Sequence, residues 1–127
     1  MKKNLEGFGP HIMCDIVGIK KEILSDLNFH LNFLKEVPKI INMTPICEPL
    51  CFHYNGLVPE DSGITGFQII AESHISIHSF EKKNYCFVDI FSCKPFDYEK
   101  ILNYFQEIFQ PKELRHYLQK RGLDFPR

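Results

Sequence analysis

The sequence predicts an α+β fold: a two-layer sandwich, one mostly antiparallel sheet with two helices packed on one face. Two observations predict it. Several short runs alternate apolar and polar residues at the period of a strand, and two longer stretches carry apolar residues at the period of a helix. Clusters of Gly, Pro, Asn and Asp separate them. The 127 residues suit a single domain, 1–127, and neither repeats nor low-complexity segments divide it.

Each element has its own signal. "HIMCDIVG" (11–18) alternates and ends at Gly18, as a strand does. From Lys20 to Glu36 the period becomes helical, with Ile23, Leu27, Leu31 and Leu34 on one face and Pro38 as the stop. His30 falls beside that face and reads as a surface histidine. "PICEPLCFHY" (45–54) reads as extended chain interrupted by Pro49, and "NGLVPEDSG" (55–63) as a loop. "ITGFQIIA" (64–71), "ISIHSF" (75–80) and "YCFVDIFSC" (85–93) read as strands, the last two joined by a turn at "EKKN". Asp97 is placed to cap a second helix, with Ile101, Leu102, Phe105, Ile108 and Phe109 on one face. "KELRHYLQKRG" (112–122) reads as a final strand in preference to a short helix.

Composition excludes several functions. A net charge near −1 without a basic block argues against nucleic acid as partner. No apolar run reaches the roughly 20 residues of a membrane span. "MKKNLEGFGPH" lacks the apolar core of a signal peptide, so a cytoplasmic protein is expected. The five cysteines are odd in number and lack a CxxC pair, which favours reduced thiols over a disulfide framework. "GFGP" (7–10) is interrupted by Pro10 and lacks the context of a phosphate-binding loop.

The unusual stretch is "AESHISIH" (71–78). Alternation puts Ile75 and Ile77 on one face and Ser76, His78 and Phe80 on the other. In the next strand Cys86, Val88 and Ile90 form the aliphatic face; Phe87, Asp89, Phe91 and Cys93 oppose it. If the aliphatic faces meet the helices, His78, Asp89 and Cys93 share the open face and read as a pocket. Ser73 and His78, five apart, point to opposite faces of a straight strand unless the chain turns near Glu72-Ser73-His74. Zinc is disfavoured, because the two histidines of "HISIH" lie about 13 Å apart on a strand. A Cys93–His78 nucleophile and base remains open, as does a polar edge strand with no chemistry.

Read together, "GITGFQIIAESHISIHSF" and "FVDIFSC" resemble the small prokaryotic S-adenosylmethionine decarboxylases, which make their own pyruvoyl cofactor. The resemblance extends to "GPH" (9–11), "KPFD" (94–97) and "RGLDFPR" (121–127). It implies that Ser73 attacks the Glu72 carbonyl and that the resulting ester eliminates. The products are a β chain, 1–72, and an α chain, 73–127, that begins with a pyruvoyl group. It implies His78 as the proton carrier in this processing and Thr65 as its supporting hydroxyl. In the mature enzyme the pyruvoyl group forms a Schiff base with S-adenosylmethionine and accepts electrons as CO₂ leaves. The resemblance implies Cys93 as the acid that protonates the carbanion left by CO₂, after which hydrolysis releases the aminopropyl donor for spermidine.

The resemblance also implies Phe80 on the substrate, with Phe52 or Tyr54 as the facing aromatic. No metal is expected. The implied assembly is a dimer of processed protomers, α2β2, with the site near the interface. One departure bears on substrate: the family's Pro-Glu after the aromatic is Glu81-Lys82 here, and Glu81 is the candidate for the glutamate's role. The alternatives are pyruvoyl-dependent decarboxylation of arginine or ornithine, and a non-processing regulatory paralogue.

Overall fold

The structure is a computed structural model and describes residues 7–126. Residues 1–6, on which the reading of the leading segment rests, and the last residue of "RGLDFPR" lie outside the described residues. Strand β1 (Gly9–Val17) is followed by a short helix α1 (Lys21–Leu24) and by helix α2 (Leu27–Ile40). Then come β2 (Thr44–Pro45), β3 (Leu50–Tyr54), a 3₁₀ turn at Pro59–Asp61, β4 (Gly63–Ala71) and β5 (Ser73–Phe80). β6 (Tyr85–Phe91), α3 (Tyr98–Phe109) and β7 (Glu113–Arg121) complete the described chain.

All seven strands join one antiparallel sheet, in the order β2-β4-β5-β6-β1-β7, with β3 also on β4. The two-layer α+β sandwich is therefore the fold. β5 lies inside the sheet, which removes the edge-strand reading of "AESHISIH". The final segment is a strand, and it pairs with β1 along its whole length.

The core lies between the sheet and the helices. Ile12, Cys14 and Ile16 of β1, Ile75 and Ile77 of β5, and Cys86, Val88 and Ile90 of β6 are buried as alternation predicts. They meet Phe33 of α2 and Phe105 and Phe109 of α3, whose rings pack 5.6–5.9 Å apart. Each fully buried ring stabilises the fold by about 1.5–3 kcal/mol. Asp97 caps α3 by accepting from the Lys100 backbone N–H at 3.1 Å.

The first helical stretch departs from expectation in three ways. It is broken, because the Asp26 carboxylate accepts from the Phe29 N–H and starts α2 afresh. Pro38 sits inside α2, not beyond it: so near the C-terminus its missing N–H costs only one helical bond, and its ring is buried. The fresh start also rotates the buried stripe to His30, Phe33, Leu34 and Val37, leaving Leu27 39% exposed.

His30 is thus in the core and not on the surface. Its Nδ1 donates to the Asp26 carbonyl at 2.8 Å. That fixes the tautomer, so Nε2 accepts from the Ser79 hydroxyl at 2.6 Å. The Cys86 sulfur lies 3.6 Å from the same hydroxyl. Burial lowers the His30 pKa, outweighing the opposing pull of the Asp26 carbonyl and charge.

This lowering has a measurable consequence. The unfolded chain protonates His30 near its ordinary value of about 6.5, while the folded chain resists. The stability is full above that pH and is lost as pH falls below it. The urea midpoint is expected to drop between about pH 7.5 and pH 5.5, and His30→Gln to flatten part of that drop.

Candidate active site

The unusual residues fall into two groups, at opposite ends of β5. The first surrounds the β4–β5 turn. Ile70 pairs with Ser73, so Ala71 and Glu72 alone connect the strands. The Ser73 Oγ lies 2.5 Å from the Glu72 carbonyl oxygen. The Cys93 Sγ lies 3.8 Å from the Ala71 carbonyl oxygen, beside the same turn.

Cys93 is brought there by the segment after β6. Ser92 is buried; its Oγ donates to the Lys94 carbonyl at 2.6 Å and its N–H to the Pro10 carbonyl at 3.0 Å. Gly9 allows this close approach, since a Cβ there would meet the Ser92 carbonyl oxygen at 1.8 Å. Burial pushes the thiols of Cys14 and Cys86 up to about 12, which leaves both inert in the core.

Two further histidines stand at this end, on the open face. Phe91 pairs with His74 on one side and with His11 on the other. The His74 ring stacks on Phe67 with centroids 5.3 Å apart. Desolvation lowers both histidine pKa values, opposed by Asp89 and reinforced by Arg121. The sequence reading gave neither a role. The signal was present in "GPH" and "ESH", but only the register brings them together.

The second group lies at the far end of β4 and β5. Thr65 pairs with His78, and the Thr65 hydroxyl is hydrogen-bonded to His78 Nδ1. Both line a cavity of about 440 Å³ with Phe80, Tyr54 and Asp61. Gly63 holds the strands close, because a Cβ there would lie 1.7 Å from the Ser79 carbonyl oxygen. Phe52 is 61% exposed and does not line this cavity; Glu81 also stands outside it, 4.0 Å from His53. Of the two facing aromatics, the fold brings Tyr54 to Phe80.

The two groups do not meet within one chain. β5 runs unbroken from Ser73 to Phe80, so Ser73 and His78 are about 17 Å apart. Parity identified the face of His78 but not its position along it. A nucleophile and base formed by Cys93 and His78 of one chain is thereby excluded. Among the described residues no group of three His, Cys, Asp or Glu could hold a metal ion, and no helix is long and apolar enough to cross a membrane.

The S-adenosylmethionine decarboxylase family model matches residues 10–122. The chain belongs to that family. The S-adenosylmethionine decarboxylase proenzyme of Archaeoglobus fulgidus is 32% identical over 115 residues, covering 90% of this chain and 97% of that protein. The proenzyme of Clostridium botulinum (strain Loch Maree, type A3) is 32% identical, covering 87% and 93%. The crystal structure of the Aquifex aeolicus adenosylmethionine decarboxylase shares the fold, with a TM-score of 0.75 at 24% identity, over 91% of this chain and 92% of that one. The family makes the chain a carboxy-lyase of the S-adenosylmethionine decarboxylase class. These relatives do not favour the arginine, ornithine or non-processing readings.

The Thr65–His78 bond can be tested apart from activity. Thr65→Val removes the hydroxyl partner of Nδ1, so the imidazole ¹⁵N shifts of His78 should move, while Thr65→Ser should retain the wild-type shifts.

Proposed function

We propose that this chain is a one-domain precursor that cuts itself between Glu72 and Ser73 and then decarboxylates S-adenosylmethionine. The supporting observation is the Ser73 hydroxyl held against the Glu72 carbonyl in a two-residue turn, with the Cys93 thiol alongside. The Ser73 Oγ attacks the Glu72 carbonyl carbon, and the C–N bond breaks to leave an ester and a free amine on residue 73. Loss of the residue 73 α-proton expels the Glu72 carboxylate from Cβ. Water then replaces the nitrogen, which leaves as ammonia, and residue 73 becomes pyruvoyl. The residues fit this group, since a serine at a strand's first position, beside a thiol, is what its formation and use require. When present, the pyruvoyl group supplies the electron sink for decarboxylation.

His78 and Thr65 enter this site from a second copy. The open face carries Phe67, Phe87 and Tyr117, each at least 37% exposed, so a partner sheet would bury an apolar surface. A two-fold axis through that face sets the Ser73 end of one protomer against the His78 end of the other. His78 Nε2 then moves the proton in elimination, while Thr65 holds Nδ1. Tyr54 and Phe80 take the purine and sulfonium between aromatic faces. The Cys93 Sγ gives its proton to the carbon that lost CO₂. The processed assembly is α2β2, from β chain 1–72 and α chain 73–127, in the cytoplasm.

Three variants test this. Ser73→Ala should remain one chain by mass spectrometry, while the wild type splits before residue 73. His78→Ala alone should stay intact, yet be cut once dimers are re-formed with Ser73→Ala, whose intact His78 completes the site. No cutting in the mixture would defeat the shared site. Cys93→Ala should still be cut but lose about 10²-fold or more in turnover.

A further inference from the structure

The cavity at the His78 end contains a carboxylate that the mechanism above does not use. Asp61 lies on its wall, in the 3₁₀ turn Pro59–Asp61. Two hydrogen bonds close that turn: the Asp61 N–H donates to the Val58 carbonyl at 2.9 Å, and the Ser62 hydroxyl accepts from the Gly56 N–H at 3.1 Å. Outside the cavity, Lys83 in the β5–β6 turn donates to the Asp61 Oδ1 at 2.7 Å. The ion pair joins the 3₁₀ turn to the β5–β6 turn and occupies only one carboxylate oxygen. Oδ2 has no partner among the described residues.

Resting on the decarboxylase reading, we propose that Asp61 is the specificity-determining residue for the sugar hydroxyls of the substrate. A nucleoside seated between Tyr54 and Phe80 exposes two vicinal hydroxyls, both donors, and an acceptor-only carboxylate answers them. Glu81 does not serve here, since it stands outside the cavity beside His53 and its side chain is only 13% exposed. Lys83 holds one oxygen of Asp61 in an ion pair whose side chains are about half exposed, 54% and 45%, and leaves the second oxygen available to accept. The carboxylate comes from the 3₁₀ turn before β4 and not from the 81–82 segment.

The test compares S-adenosylmethionine with its 2′,3′-dideoxyribose analogue, using Asp61→Asn and Asp61→Ala. Both variants should cut before residue 73 at the wild-type rate. For S-adenosylmethionine, KM should rise about tenfold or more in Asp61→Ala, with kcat nearly unchanged. For the dideoxy analogue, the variant and the wild type should have equal KM. Lys83→Met should give a smaller KM rise, again for the hydroxylated substrate only. An equal loss on both substrates would mean that Asp61 answers the sulfonium charge, and would overturn the proposal. So would unchanged KM. If Asp61→Ala fails to fold, Asn, equal in shape, carries the comparison. A wild type that cuts but does not turn over S-adenosylmethionine would defeat the decarboxylase reading and this inference together; a normal wild type with an indifferent Asp61→Asn and Asp61→Ala would defeat this inference alone.

Discussion

Everything at the site depends on the register of one hairpin. Pairing Ile70 with Ser73 leaves two residues for the turn and also sets Thr65 opposite His78. A slip of one residue would reverse the faces of β5, sending His78 into the core and Ile77 to the open side. Burial of Ile75 and Ile77 against the helices penalises that slip. Gly63 adds a steric constraint, since only a residue without Cβ tolerates the Ser79 carbonyl so close. Core packing and site geometry are therefore one constraint.

The buried histidine extends this constraint to the helices. His30 joins α2 to Ser79, the neighbour of His78 on the opposite face of β5. A core polar pair is directional where aliphatic contacts are not, so it fixes where the strand sits along its own axis. The side of the sheet that meets the helices thus helps position a residue on the open side.

The strands, the caps at Asp97 and the faces of β5 and β6 were legible because alternation and capping are local rules. The phase of α2 was not, because an acceptor at Asp26 competes with the helical pattern and only geometry shows which prevails. The ends of the sheet were equally hidden. Alternation says which side a residue faces, yet Cys93 and His78 differ in position along the strands, which depends on pairing. For the same reason the neighbourhood of His11 and His74 across Phe91 was hidden, although both lie in quoted motifs. Tyr54 was separated from Phe52 only by the path of β3 along β4.

The strand order has a further consequence. β1 lies between β6 and β7, and β4 lies beside β5. A break after Glu72 therefore leaves two fragments whose strands alternate within one sheet, like interlaced fingers. Neither fragment owns a continuous sheet or a complete core, so neither can leave without unravelling the other. The fold does not depend on the Glu72–Ser73 bond, because the pairing of strands across it holds both halves together.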